Sequence, residues 1–102
     1  MTITVPHRCT LEDALARASA LGEYFVNRHG MQLQWESERV AHLTGRYMLI
    51  SFDATFTLTE AKVQIDGKDP GFLLRSKAQD YLRRKVNEYL DPAVPLDALP
   101  RR

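Results

Sequence analysis

The feature that most limits how this chain can fold is an alternation that holds its phase from Met48 to Thr59. Met48, Ile50, Phe52, Ala54, Phe56 and Leu58 are apolar, Ser51, Asp53, Thr55, Thr57 and Thr59 between them are polar, and only Leu49 departs from the pattern. Successive side chains of a strand point to opposite faces, so a period of two means strand with one packed face and one wet face. Taken as a single strand, about eleven residues at about 3.3 Å each would run to about 36 Å, well past the usual five or six residues. A bend or a three-residue turn near Asp53 is therefore expected. A two-residue hairpin there would exchange the faces, and the alternation keeps its phase.

Such a strand needs neighbours along its edges and a cover over its apolar face. Ile3 and Val5 alternate with Thr2 and Thr4, and Pro6, lacking an N–H, ends what reads as an edge strand. Met31, Leu33 and Trp35 alternate with Gln32, Gln34 and Glu36, a turn over Ser37 to Arg39 leads back through Val40 to Thr44, and Glu60-Ala61 turns into Lys62 to Ile65. The cover is helical. Thr10 stands as an N-cap before Leu11-Glu12-Asp13, with acidic residues at the positive end of the helix dipole, and Gly30 follows Arg28 and His29 as the C-cap. On a helical wheel Leu11, Ala14, Leu15, Ala18, Leu21, Gly22, Phe25 and Val26 share one side, opposite Glu12, Asp13, Arg17, Glu23 and Asn27. After the loop Asp66 to Gly71, Leu74, Ala78, Tyr81, Leu82, Val86, Tyr89 and Leu90 recur at helical spacing until Asp91-Pro92.

These elements predict an α+β fold: an antiparallel sheet of four to five strands with two amphipathic helices on one face, in the order β-α-β-β-β-β-α. At 102 residues the chain has material for one core. Residues 1–91 form that single domain. Residues 92–102 carry Pro92, Pro95 and Pro100 with only Val94, Leu96 and Leu99 to bury, and are expected as a flexible tail. The N-terminus lacks the apolar core of a signal peptide and no stretch is long enough to span a membrane, so a cytoplasmic setting is expected. A formal charge of +1 supplies no global field toward nucleic acid or an anionic surface.

Candidate chemistry is sparse. His7 and the lone cysteine, Cys9, precede the first helix, where a thiolate and its base would sit, but no oxyanion donor or orienting group accompanies them. His7, His29 and His42 match no local metal-ligand spacing. Lys77, Arg83 and Arg84 of the second helix suggest a basic surface for nucleic acid, yet Asp80 and Glu88 interleave with them as on a solvated face. Lys85 falls inside the apolar sector, where its stem covers the core edge and its ammonium reaches water. Trp35, Tyr47, Tyr81 and Tyr89 are the candidates for lining a ligand groove between sheet and helices, although inward aromatics are more often plain core. No glycine-rich phosphate loop, HExxH, GxSxG or CxxC is present. A binding role without catalysis, metal or cofactor is the reading these residues support, with a pocketed ligand carrier or small enzyme as its rival.

The ordered set Pro6-His7, Asp13-Ala14-Leu15-Ala16-Arg17-Ala18, Gly30, Trp35, Leu43-Thr44-Gly45-Arg46, Gly71-Phe72-Leu73-Leu74 and Tyr89-Leu90 resembles the polyhydroxyalkanoic acid system protein family, small bacterial proteins of this length. The resemblance spans about Ile3 to Asp91. It implies an association with storage-polyester synthesis, as an accessory of the polyhydroxyalkanoate granule, and supplies no catalytic residues to carry over. The partners it suggests are the granule, a granule-associated protein, or a second copy of the chain in a homodimer.

Overall fold

The computed structural model describes all 102 residues. The elements are β1 (Thr2–Pro6), α1 (Leu11–His29), β2 (Gln32–Trp35), β3 (Val40–Tyr47), β4 (Ile50–Leu58), β5 (Lys62–Gly67) and α2 (Phe72–Tyr89), followed by one 3-10 turn, Leu96–Ala98. The five strands form one antiparallel sheet in the order β1-β5-β4-β3-β2, so β1 is the edge that Pro6 implied and β2 is the other. Both helices cover the same face, and the inward residues of all strands join them in one core that includes Ile3, Val5, Leu43, Ile65, Leu82, Val86 and Tyr89. The fold class and element order are those expected from the periodicities.

Caps act where the residue types predict. Thr10 accepts from the Asp13 N–H at 3.1 Å, and Gly30 takes the left-handed conformation, φ 65°, that closes α1. The central ribbon differs from expectation. β4 runs unbroken through Asp53, and the turn lies at Met48-Leu49, between the paired residues Tyr47 and Ile50. A two-residue loop returns its flanking residues to the same face, so Met48 shares the phase of the strand without belonging to it. Its φ is +57°, a left-handed value that normally falls to glycine or asparagine. β5 pairs with β4 only from Ala54 to Leu58. The other half of the β3–β4 ribbon projects past β5 to carry Tyr47 and Phe52 under α2, which is why the strand is long.

One further expectation is corrected by the packing. Arg17, placed on the wet side of α1, is buried at 4 % exposure, whereas Val26 is 39 % exposed. A wheel assumes one covering surface, and α1 has two, because the C-terminal end of α2 and the residues after it pack on its flank. Arg17 binds Asp13 at 2.9 Å and reaches three carbonyls: Tyr89 at 3.2 Å, Asp91 at 2.9 Å and Val94 at 2.6 Å. Residues 92–102 make contacts of their own with the domain. Leu99 enters the core, Asn27 donates to the Arg101 carbonyl, Arg101 pairs with Glu23, and the Tyr89 hydroxyl donates to the Pro100 carbonyl. A few apolar side chains suffice there because Arg17 ties down the backbone that carries them.

The sheet face without helices is polar. The registers align Thr2, Asp66, Thr55, His42 and Gln34 in one row across all five strands, with Thr4, Gln64 and Thr57 in a second.

Candidate functional site

Neither candidate thiol chemistry nor a metal centre assembles. The His7 ring accepts from the Cys9 N–H at Nδ1, 3.2 Å away, which places the proton on Nε2, where it is donated to the Thr59 carbonyl at 2.8 Å. Both ring nitrogens are thus engaged by backbone. The Cys9 thiol donates to the Leu90 carbonyl at 3.2 Å, and burial, with the Asp13 carboxylate second, pushes its pKa up, so it rests as a thiol. His7, His29 and His42 lie apart, and no three His, Cys, Asp or Glu side chains are placed to hold a metal ion.

The aromatic candidates divide. Tyr47 and Tyr81 stack with centroids 4.7 Å apart, and Tyr81 also meets Phe52 at 6.0 Å and Phe25 at 6.4 Å. Tyr89 joins through Tyr24 at 6.0 Å, and His29 lies 4.3 Å from the Tyr47 ring and 3.4 Å from the Tyr81 hydroxyl. Burial, with Arg28 and Lys85 adding to it, lowers the His29 pKa, and burial raises Tyr81 strongly and Tyr89 to about 12. Tyr47 and Tyr81 therefore stack between α1, α2 and the projecting ribbon, and Tyr89 packs beyond Tyr24 in the same core. Lys85 closes this cluster, its ammonium 4.7 Å above the Tyr24 ring and 3.3 Å from Glu88.

The basic residues of α2 are largely occupied within the chain. Arg83 donates to the Thr4 carbonyl at 3.2 Å, and Arg84 lies over Tyr81 and 3.9 Å from Glu88, leaving Lys77 exposed without such a contact. On the polar sheet face His42 Nε2 meets Asp53 Oδ1 at 2.6 Å, with Lys68 at 3.4 Å from the other carboxylate oxygen. The His42 hydrogen bond, assisted by Lys68, holds the Asp53 carboxyl below the usual carboxylate range. The pair is about one-third exposed, and its register neighbours on that face are Gln34, Thr44 and Thr55.

Trp35 stands elsewhere, at the mouth of a narrow crevice between α1 and the β2–β4 side of the sheet. Ala18, Leu21 and Phe25 of α1 cover it, Leu33, Ala41, Leu43 and Phe56 lie beneath, and about 40 Å³ of clear space remains inside. Ala41 faces Trp35 on one side and Phe56 on the other, so a methyl group sits between two aromatic side chains and leaves a notch. Twelve of the fourteen lining residues are apolar, and the one polar side chain among them is Arg39. Sequence reasoning singled out Trp35 but read Arg39 as turn and Ala41 as strand. The strand register sets Ala41 against Trp35, and Arg39, just before β3, lines the same crevice.

Apolar exposure is concentrated in two dipeptides. Met48 and Leu49 at the ribbon tip are 79 % and 78 % exposed, and Phe72 and Leu73 at the start of α2 are each 78 % exposed. No helix is long and apolar enough to cross a membrane.

Compared with known proteins, the chain matches the family described as polyhydroxyalkanoic acid system protein (PHA_gran_rgn) over residues 1–94, and it belongs to that family. No curated protein and no solved structure matches it significantly.

Proposed function

We propose that this chain, as a member of the polyhydroxyalkanoic acid system family, is a non-catalytic accessory protein of polyhydroxyalkanoate storage granules, working in the cytoplasm where such granules lie. The family match over residues 1–94 carries the reading. The four exposed side chains Met48, Leu49, Phe72 and Leu73 support it, because apolar groups held in water on a rigid frame gain when they meet an apolar surface. The polar outer sheet face does not offer that contact. The granule surface, or a protein coating it, is the partner these side chains suit.

Co-sedimentation of the purified chain with isolated granules tests the proposal. Wild-type protein is expected in the granule fraction, and the quadruple variant Met48→Ser, Leu49→Ser, Phe72→Ser, Leu73→Ser in the supernatant with an unchanged circular dichroism spectrum. Wild-type protein that stays in the supernatant over clean and native granules alike overturns it. A homodimer is the other use of the same side chains. Light scattering after size-exclusion chromatography decides that, since a dimer abolished by the quadruple variant assigns them to self-association.

A further inference from the structure

We infer that the free edge of β2 is a self-association surface, where a second copy of the chain adds its own β2 antiparallel about a two-fold axis at Gln34 and continues one sheet across both copies. The backbone decides which groups that edge offers. Antiparallel pairs alternate between residues that exchange both backbone hydrogen bonds and residues that exchange none. Glu36 donates to the Val40 carbonyl at 2.8 Å, so in the same register Gln34 and Gln32 bond to His42 and Thr44, and the N–H and C=O of Leu33 and Trp35 point away from β3. β2 ends the sheet, so no strand receives them. The opposite edge is closed. There His7 donates to the Ala61 carbonyl and Gly67 to that of Met1, which turns the backbone groups of Thr2, Thr4 and Pro6 outward. Pro6 has no N–H, and Arg83 occupies the Thr4 carbonyl at 3.2 Å. Gln32 to Trp35 carries no charge, proline or glycine that would hinder pairing.

The free groups select a second copy and fix one register. A two-fold axis perpendicular to the sheet keeps both helical layers on one side and pairs residues of the same face, so one residue lies on the axis. With Gln34 there, Leu33 opposes Trp35 of the second copy, and the two exchange the free groups of both edges. Centring on Leu33 would oppose Trp35 to Met31, whose N–H already bonds the Phe25 carbonyl. Centring on Trp35 would oppose Leu33 to Ser37, whose N–H already bonds that of Val40. The Gln34 register also brings Leu33 and Trp35 together on the helix-covered face, over an indole that is 42 % exposed in the single chain. On the polar face Gln34 meets itself and Gln32 meets Glu36, so no like charges are opposed. This edge uses none of the side chains assigned to granule contact, and neither reading depends on the other.

Light scattering after size-exclusion chromatography of the full-length chain is expected to give twice the chain mass. Dilution is expected to move the emission of the single tryptophan, Trp35, to longer wavelength as the copies part. Gln34→Lys sets two ammonium groups opposite each other at the axis and changes only an exposed side chain of the monomer. The dissociation constant is expected to rise roughly tenfold or more, with an unchanged circular dichroism spectrum. Gln34→Cys reads the register directly. The residues on the axis form a non-hydrogen-bonded pair with Cα atoms about 4.5 Å apart, within disulfide reach, so mild oxidation is expected to cross-link this variant. Gln32→Cys and, on the β1 edge, Thr4→Cys are expected to stay uncrosslinked. Cys9 is buried and does not compete. The quadruple serine variant of Met48, Leu49, Phe72 and Leu73 is expected to remain dimeric, which separates this interface from the granule contact. A chain that is monomeric at every concentration, a dimer that Gln34→Lys leaves intact or the quadruple variant abolishes, or cross-linking of Thr4→Cys in place of Gln34→Cys overturns the inference.

Discussion

At the scale of single residues, Arg17 and Met48 hold conformations that local sequence disfavours. The Arg17 side chain is 5 % exposed and its Asp13 partner 35 % exposed, so the ion pair is only half desolvated. Most of its contribution comes from the Tyr89, Asp91 and Val94 carbonyls, which have no substitute donor once the guanidinium is gone. Arg17→Met keeps the stem and removes the donors, and is expected to lose about 2–4 kcal/mol in urea unfolding, read as a lower midpoint at constant slope. Arg17→Lys is expected to recover little, since one ammonium cannot reproduce a fork spread over three carbonyls. Met48 is the opposite case. Its left-handed φ of 57° costs a side-chain-bearing residue about 1–2 kcal/mol, and its exposed side chain recovers none of that in packing. Met48→Gly is expected to raise stability by about 0.5–1 kcal/mol after the entropic cost of glycine, and Met48→Val to lower it. A stability gain combined with weaker granule sedimentation would mark Met48 as strain retained for contact.

At the scale of elements, the segment after α2 is where length along the chain and position in the fold diverge most. The family match ends at residue 94, but the packing continues through Leu99 and Arg101. Deleting residues 95–102 leaves the three carbonyls bound by Arg17 in place, exposes the core where Leu99 sat, and takes the Pro100 acceptor from the Tyr89 hydroxyl. The expected loss is about 2–4 kcal/mol in thermal or urea unfolding. A truncated chain as stable as the whole would support the reading of this segment as a free tail. Elements whose cause is local were legible in sequence: Thr10 and Gly30 bound α1 as their chemistry requires, the alternations Ile3-Val5 and Leu33-Trp35 located β1 and β2, and Pro6 marked β1 as an edge. What depended on partners far along the chain was not. The burial of Arg17 rests on carbonyls 72 to 77 residues away. The crevice exists only because register sets Ala41 between Trp35 and Phe56. Likewise the turn at Met48-Leu49 was hidden by a methionine that happens to share the phase of the strand.

At the scale of the whole molecule, the shifted ionisations combine into one stability profile. His29, Asp53 and Asp69 all have folded pKa values below their unfolded ones. The causes are burial for His29, the His42 hydrogen bond for Asp53, and the Arg75 hydrogen bond backed by the Gly71 N–H for Asp69. A group shifted downward contributes stability that is complete above its unfolded pKa and is lost as pH falls through the folded value. His29 therefore begins to weaken the fold below about pH 6.5, and the two aspartates below about pH 4. Cys9, Tyr81 and Tyr89 are shifted upward by burial, so their contribution is complete at low pH and is lost as pH rises past the unfolded values, from about 8.5 for the thiol and about 10 for the phenols. Midway between these limits the shifted groups keep one charge state in both the folded and the unfolded chain, and the urea midpoint is expected to be flattest at about pH 7.5. On either side each flank belongs to a named residue. His29→Gln is expected to extend the plateau downward toward the carboxylate range, Asp53→Asn to make the steeper loss below it shallower, and Cys9→Ala to move the alkaline shoulder upward. His29→Gln also removes the ring contacts to Tyr47 and Tyr81 and lowers the whole curve. Its test is therefore the slope between about pH 5 and 6.5, which vanishes if burial of a neutral imidazole is the cause and persists if it is not.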